Sequence, residues 1–470
     1  MRISDIIDLG MRYLRLGLLV LVPAGIGFIL WYFLYFRKKR PGERLEVGKV
    51  LLYCIFLVYL VVVFGATMLS RGSFYGNEKI YPLFYSYKSA WNNFSMTEWR
   101  NIILNILMFV PFGCMLPLLS KKMDKWYKVY LAGFLVTGVI EGVQLLLNRG
   151  VFEPDDLMGN TFGTMIGYGI YCIGKYPVNR KKKAECDSLK RVLLFQLPLV
   201  VVVAGFFAVF MTYRVKELGN LNSTYLIKQE NIQVTSRVDF EADKESAMVY
   251  RASVLTVPET EKLAQELFGK LGCDIDEERT DVYENSVLYY TEGENRFSLW
   301  VDYDGGVYSL FDYEKGFDAS VEKKMDATEE EIRRALDKIG AYVPTEAEFI
   351  NKGEGQYRFL AETVLENGFV YDGFVEAVYY EDGSFGVVNY QLLKLEGYKE
   401  FSVMSERKAY EELMTGKFSY WRGNNDLLEI TVTDVCIDYQ LDTKGFYQPV
   451  YVFRATINDG GGEIAIPAIK

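Results

Sequence analysis

Six long apolar runs occupy the first 212 residues of this 470-residue chain. Each run has 18–21 residues, and a helix needs about 17–25 such residues to cross a bilayer. The runs lie at 16–36, 50–69, 102–119, 129–147, 157–174 and 192–211. The sequence therefore predicts an α-helical polytopic membrane domain of about six spans over residues 1–212, in which the fifth run is the least apolar.

The basic residues of the loops predict how these spans are oriented. Seventeen Lys and Arg residues lie in one set of loops, 37–49, 120–128 and 175–191. Only eight lie in the alternate set, 1–15, 70–101 and 148–156. Because cytoplasmic loops are enriched in basic residues, we expect the first set to face the cytoplasm. Everything after residue 212 is then expected outside the cell membrane.

Charge divides the chain at the same place. Residues 1–212 carry 25 basic and 13 acidic side chains, whereas residues 213–470 carry 27 and 49. So acidic a C-terminal half is unsuited to bind nucleic acid directly and would favour cationic partners. The chain has no histidine, which excludes Ser-His-Asp triads, histidine metal sites and histidine pH switches.

Polar residues cluster where three of the predicted spans meet the outer leaflet. A polar group inside hydrocarbon is costly and needs a reason, and Glu141 is the only acidic residue within a confidently apolar run. The predicted ligand-binding residues are Asn105, Glu141, Gln144, Arg149, Asp155, Asp156 and Asn160. In one interpretation, Arg149 pairs with one of the carboxylates and the amides join helices. In the other, the groups line an outward pocket for a polar or lipid-linked ligand, or for a divalent cation.

Glycines at four-residue spacing predict close helix packing beside these polar groups. Gly159, Gly163 and Gly167 form one such stripe, and Gly138 with Gly142 forms another. Small residues at this spacing let two membrane helices approach closely. We expect both stripes to bring the polar residues together.

These motifs resemble those of the VanZ-like family of bacterial membrane proteins. The matching stretches are Asn105-Ile-Leu-Met-Phe-Val-Pro111-Phe-Gly113, Glu141-Gly-Val-Gln144, Arg149 and Asp155-Asp156-Leu-Met-Gly-Asn160-Thr-Phe-Gly163-Thr-Met-Ile-Gly167-Tyr. They cover about residues 45–175. The resemblance implies a multi-pass protein of the bacterial cell envelope and, from the member that names the family, resistance to teicoplanin-type glycopeptides. It does not imply an enzymatic activity.

The C-terminal half predicts an α+β ectodomain of repeated units. After a stalk at 213–228, helices are expected at 258–269, 328–339 and 405–415. About three strands follow each helix, with turn signals such as Glu381-Asp382-Gly383 between them. We expect one lobe at 229–325 and a second at 326–470. The pattern resembles PepSY-like extracytoplasmic regulatory domains, which bind and inhibit partners.

Three functions are consistent with the sequence. The favoured one is a VanZ-like envelope protein that binds a cell-wall precursor or a glycopeptide at its outer-leaflet polar site. The second is a membrane-anchored interaction or regulatory protein whose acidic ectodomain docks onto an envelope protein. The third, an enzyme acting on polyprenyl phosphates, would need carboxylates and a metal.

We favour a protein without catalytic activity, with no cofactor and no metal, and with the lipid bilayer as an obligatory partner. The six cysteines form no CxxC spacing and predict buried unpaired thiols. A disulfide between Cys273 and Cys436 is left open by the sequence.

Overall fold

The computed structural model describes residues 3–39, 46–69, 80–181, 188–243, 245–293, 296–317, 321–420 and 426–469. The chain divides into two compact units. The first lies within residues 1–216, and the second comprises residues 217–420 and 426–470.

The first unit is helical. Its helices are α1 (Ile3–Trp31), α2 (Arg37–Lys39), α3 (Val47–Phe64), α4 (Tyr85–Asn92), α5 (Met96–Leu119), α6 (Trp126–Leu146), α7 (Pro154–Lys181), α8 (Leu189–Leu194) and α9 (Leu197–Val215). Wider π-helical turns extend α1 at Tyr32–Phe36 and α3 at Gly65–Leu69.

Five stretches of the described chain are long and apolar enough to cross a membrane. They are Gly10–Tyr35, Val47–Leu69, Met96–Leu119, Trp126–Leu146 and Leu189–Val215. They overlap five of the six predicted runs, which confirms the prediction of a helical membrane domain. Their apolar side chains are largely exposed in the isolated chain, as expected for helices that face lipid.

The predicted run 157–174 forms most of α7, but α7 is not among the five. It has 28 residues, which is about 42 Å of helix and more than the roughly 30 Å of hydrocarbon in a bilayer. The helix is therefore long enough to cross a bilayer. It is not apolar enough, because glycine, threonine and asparagine occupy positions where the other helices have large apolar residues. A helix of this kind is covered by other helices rather than by lipid, and α7 makes extensive contacts with α5 and α6.

The second unit is sheet-rich. Its helices are α10 (Val257–Lys270), α11 (Tyr313–Phe317), α12 (Glu329–Ile339) and α13 (Glu406–Met414). Its strands are β1 (Ile232–Ser236), β2 (Ser246–Ala252), β3 (Asp281–Val282), β4 (Ser286–Tyr290), β5 (Phe297–Asp302), β6 (Tyr308–Asp312), β7 (Glu348–Gly353), β8 (Gln356–Glu366), β9 (Phe369–Tyr379), β10 (Phe385–Ser402), β11 (Leu428–Leu441), β12 (Phe446–Ile457) and β13 (Gly460–Pro467).

The repeat predicted from the sequence is present. Antiparallel strands follow three of the helices: β3–β6 after α10, β7–β10 after α12 and β11–β13 after α13. Local signals fix the helix ends, as at α12, where the Thr328 hydroxyl accepts the Glu331 N–H. The α+β class of this region is therefore confirmed.

All the described strands belong to one sheet. Its main path runs β1-β11-β12-β2-β10-β6-β5-β4-β3, with β13 beside β12 and β7–β9 joined to β10. The long strand β10 pairs with β9 on one side and, in succession, with β6 and β2 on the other. β1 is parallel to β11, whereas the other paired strands are antiparallel.

Two apolar cores lie against this sheet. The larger one joins α10 and α12 to strands β4–β6 and β8–β10, through residues such as Phe268, Leu336 and Val388. Residues from both sides of the predicted lobe boundary at 325 contribute to it. The second core joins α13 to β11–β13. Cys273 and Cys436 both carry free thiols, so the structure has no disulfide between them.

The segment predicted as a stalk, 213–228, is partly packed into the second unit. Leu218, Asn220 and Leu221 are buried. The Gly219 N–H donates to Asp442 Oδ2 at 2.6 Å, and the Asn220 N–H donates to the Thr443 hydroxyl at 2.9 Å. These hydrogen bonds connect the first residues of the second unit to the β11–β12 turn. The two segments are more than 200 residues apart, so composition alone does not reveal their pairing.

Candidate functional site

Most of the buried polar side chains described in the first unit lie on α6 and α7. Those exposed by 8% or less are Thr137, Glu141, Gln144, Asp155, Asp156, Asn160 and Thr164. A buried polar group without a hydrogen bond costs several kcal/mol in hydrocarbon. The contacts of each group therefore determine whether it has a structural role or is available to a ligand.

Two of the predicted site residues are in direct contact. The Asn105 amide of α5 donates to Asp156 Oδ1 of α7 at 2.5 Å. Asp156 is 8% exposed, so its charge lies in a low-dielectric setting where a charge-assisted hydrogen bond is strong. This bond joins the first and the last of the four motif stretches of the sequence.

The neighbouring carboxylate, Asp155, has a structural role. Its two oxygens accept the N–H groups of Phe84 at 2.6 Å and of Ser86 at 2.9 Å. Phe84 precedes α4 in a left-handed conformation, with φ of 68°. Asp155 therefore caps the start of α4, and we assign it to positioning rather than to ligand binding.

Glu141 reaches the segment between α6 and α7. Its Oε2 accepts the Glu153 backbone N–H at 3.1 Å, and the Ser86 hydroxyl donates to the Glu153 carboxylate at 3.1 Å. Glu141 is 2% exposed. Glu141, like Asp155, therefore accepts a hydrogen bond from the backbone.

Gln144 and Arg149 contact the end of α3. The Gln144 amide donates to the Thr67 carbonyl at 2.9 Å, and Arg149 Nη1 donates to the Met68 carbonyl at 3.3 Å. Both carbonyls belong to the π-helical turn at Gly65–Leu69, where backbone acceptors lack the regular helical pairing. The two side chains thus fasten α6 and the chain after it to α3.

Asn160 differs from the others because it retains an unused acceptor. Its amide nitrogen donates to the Thr137 hydroxyl at 2.8 Å. Its Oδ1 is buried and has no hydrogen-bond partner among the described residues. An orphaned buried acceptor calls for an explanation, such as a ligand or an ordered water.

Close packing of α5 on α7 brings these groups together. A Cβ on Gly163 would lie 1.9 Å from the Ile106 carbonyl oxygen, and one on Gly167 would lie 2.0 Å from that of Val110. A Cβ on Gly113 of α5 would lie equally close, at 2.0 Å, to the Thr164 carbonyl oxygen. Glycine is required at these positions because any side chain would separate the helices.

The second predicted glycine stripe does not have this role. A Cβ on Gly142 would meet nothing within 4 Å, and one on Gly138 would only touch the Leu157 side chain at 3.8 Å. The expectation of close packing at these two positions is wrong. Gly133, one turn earlier on α6, provides the close contact instead, against the Thr164 side chain, because α6 crosses α7 nearer its N-terminal end.

Three residues of the site were not predicted from the sequence. Thr137 is fully buried on the α6 face that holds Glu141, and its spacing of four residues is a signal that could have found it. Glu153 contacts Glu141 through its backbone, which no side-chain pattern predicts. Burial, with smaller contributions from the charges of Asp155 and Asp156, raises the pKa of the Tyr87 phenol of α4 to about 12, so Tyr87 stays a neutral donor near them.

We use the term polar cluster for Asn105, Thr137, Glu141, Gln144, Asp156 and Asn160. It combines two carboxylates, three amides and one hydroxyl, a set suited to bind ammonium, hydroxyl and amide groups. Among the described residues, no group of three or more Cys, Asp or Glu side chains is arranged to hold a metal ion.

Residues 50–175 match the VanZ/LLP1 family. Over 165 residues the chain is 25% identical to Protein VanZ of Enterococcus faecium. The aligned region covers 34% of this chain and 91% of that protein. A solved structure of an uncharacterized protein from Eubacterium rectale ATCC 33656 also aligns with this chain. The alignment covers 52% of this chain and 90% of that structure's chain, at 10% sequence identity and a TM-score of 0.26. A TM-score this low carries no inference about fold. The VanZ-like resemblance of the motif region is confirmed, and the PepSY-like resemblance stays a prediction.

Proposed function

We propose that this membrane protein, with its VanZ-like domain at residues 50–175, protects the bacterial cell envelope against teicoplanin-type glycopeptides. In this proposal the polar cluster binds the polar end of a cell-wall precursor or of the glycopeptide itself. Binding would change the access of the drug to its target at the membrane surface. Protein VanZ of Enterococcus faecium supplies the comparison, and the site argues for a ligand.

The single observation that carries the proposal is the polar cluster, in which the buried Asn160 Oδ1 has no hydrogen-bond partner among the described residues. Its members come from three helices of a bundle whose other surfaces are apolar. A buried polar atom without a partner costs about 1–3 kcal/mol, and a bound ligand or an ordered water would offset that cost. The unused Asn160 Oδ1 is available to a ligand donor.

The loop charges support the side of the membrane that the proposal requires. Seventeen basic residues in one set of loops against eight in the other favour a polar cluster in the outer leaflet and an extracytoplasmic second unit. A cell-wall precursor and a glycopeptide both meet the membrane on that side. Accessibility of a cysteine introduced at Asp459 to a membrane-impermeant thiol reagent would test this orientation.

Glu141→Gln should abolish protection. The substitution keeps the size of the side chain and removes the charge, and loss of a charged hydrogen-bonding partner costs about 1.5–3 kcal/mol, or about tenfold or more in affinity. The measurement is the inhibitory concentration of teicoplanin and vancomycin in a sensitive host that expresses the intact chain, Glu141→Gln or an empty vector. Membrane levels are compared by immunoblot.

Glu46→Gln is the matched control, because Glu46 is an exposed carboxylate of the same unit that pairs only with Lys49 in the described contacts. It should protect as well as the intact chain. If Glu141→Gln also protects fully, the polar cluster is not the site. If the intact chain behaves like the vector, glycopeptide protection is not its function.

A cavity in the second unit supports a second candidate function, an interaction protein that recognises a cationic partner. The cavity has a volume of about 300 Å³ and is lined by Asn285, Asp302, Asp304, Gln391 and three apolar side chains. Two carboxylates and two amides in an apolar setting suit a primary ammonium group. The acidic balance of this half of the chain favours the same kind of partner.

Binding of a cation at this cavity should weaken as the pH falls, and should start to weaken at a higher pH than ordinary aspartates would allow. Burial raises the pKa of Asp302, and burial with the charges of Asp442 and Asp302 raises that of Asp304 above the ordinary 3.8. Protonation then removes the negative charge earlier during acidification. Calorimetric titration of the full chain with 1,4-diaminobutane at several pH values measures this.

The matched variants are Asp302→Asn with Asp304→Asn, and Asp274→Asn as an exposed control. The double variant should lose diamine binding and its pH dependence, while the control keeps both. Equal binding by all three proteins would rule out the cavity as the cation site.

A further inference from the structure

An apolar groove lies between α1 and α3, away from the polar cluster. Its volume is about 460 Å³, within the range of about 300–1,000 Å³ typical of ligand sites. Its walls are Leu21, Ala24 and Phe28 of α1 and Val50, Cys54 and Leu57 of α3. Both helices are among the stretches that can cross the membrane, so the groove opens to lipid rather than to water.

Helix packing explains why the groove is at this end of the pair. The two helices pack closely at two glycines. A Cβ on Gly17 would lie 2.9 Å from the Val58 side chain, and one on Gly65 would lie 2.2 Å from the Tyr13 ring. Further along α1, a Cβ on Gly25 would meet nothing within 4 Å. Because Gly25 has no side chain and does not contact α3, the space between the two helices stays open at this position and forms the groove.

One end of the groove is polar and basic. Lys49 lines it together with Glu46, and their side chains form an exposed ion pair at 2.9 Å. Trp31 and Tyr53 also line it, as amphipathic side chains do at the lipid headgroup level. In the sequence, the groove residues Trp31 and Val50 flank the segment 37–49. This segment carries six basic and two acidic residues and is therefore net positive.

We infer that this groove is a binding site for an anionic glycerophospholipid, with one acyl chain between α1 and α3 and the phosphate against Lys49. The apolar walls match a hydrocarbon chain, and the basic end matches an anionic headgroup, because a basic segment beside a membrane attracts anionic lipid. The site is independent of the proposed function of the polar cluster. The bound lipid would fill the space that α1 and α3 leave open.

Native mass spectrometry of the full chain in detergent tests this inference. The protein is given phosphatidylglycerol or phosphatidylcholine, and the amount of lipid that it retains is measured. Gly25→Leu should fill the groove and strongly reduce retention of phosphatidylglycerol. Gly27→Leu is the matched control, because a Cβ on Gly27 also meets nothing within 4 Å and Gly27 does not line the groove. Equal retention by the two variants would overturn the assignment.

Lys49→Gln tests the headgroup. It should reduce retention of phosphatidylglycerol by about fivefold, the effect of one basic residue near an anionic surface, and leave phosphatidylcholine unchanged. Lys122→Gln, in another basic loop, should change neither. An equal loss of phosphatidylcholine with Lys49→Gln would point to a zwitterionic headgroup on the Glu46–Lys49 pair and contradict the anionic assignment. Size-exclusion profiles of all variants confirm that loss of lipid does not reflect unfolding.

Discussion

Gly163→Ala should destabilise the first unit by about 3 kcal/mol, the upper end of the range for overpacked sites. The added Cβ would lie 1.9 Å from the Ile106 carbonyl oxygen. The obstacle is backbone on a neighbouring helix, so no side-chain rotation can relieve the clash and α5 must move away from α7. Denaturant or thermal unfolding of the full chain in detergent, followed by circular dichroism at helical wavelengths, measures the loss.

Gly159→Ala provides the comparison within the same helix and the same stripe. A Cβ there would lie 3.5 Å from the Ile106 side chain, which is ordinary van der Waals contact. This variant should be as stable as the parent, or slightly more stable because alanine favours helix. If both substitutions are tolerated equally, α5 and α7 do not pack as closely as the structure indicates.

Asp442→Ala should destabilise the second unit by about 4 kcal/mol. The carboxylate is 3% exposed, and loss of a buried charged acceptor costs about 1–3 kcal/mol for each donor that it satisfies. Its donors are the backbone N–H groups of Gly219, Lys444 and Phe446 and the side-chain amide of Gln448. Hydrogen–deuterium exchange of the full chain should show faster exchange in β12 and in residues 218–221.

Asp459→Ala is the control for this substitution, because Asp459 is an exposed aspartate that follows β12 in the next turn. Its exchange pattern should match that of the parent. Unchanged protection of β12 in Asp442→Ala would show that the β11–β12 turn does not depend on the carboxylate.

Much of the architecture was predictable, because it rests on short-range patterns. Apolar runs of sufficient length identify helices that can cross a membrane, and Thr328 with Glu331 locates the start of α12. The alternation of strands with turn signals predicted the three antiparallel groups. Each of these features is written within about 20 consecutive residues, so one sequence is enough to find it.

The parts that were missed depend on distant partners. Gly142 and Gly163 belong to similar glycine stripes, yet only Gly163 faces another backbone. The sequence does not say which face of α6 crosses α7. Likewise, Asp155 and Asp156 are adjacent, but one caps α4 and the other holds Asn105. Their roles diverge because neighbouring residues of a helix point in directions about 100° apart.

The position of β1 in the sheet has a consequence for biosynthesis. β1 pairs with β11, in a register that places Ile232 beside Leu428, so its partner is made about 200 residues later. At the synthesis rates of about 5–20 residues per second, β1 waits some 10–40 s for that strand. During this interval its backbone edge is unprotected. The second unit must therefore complete its fold after its C-terminal strands have emerged.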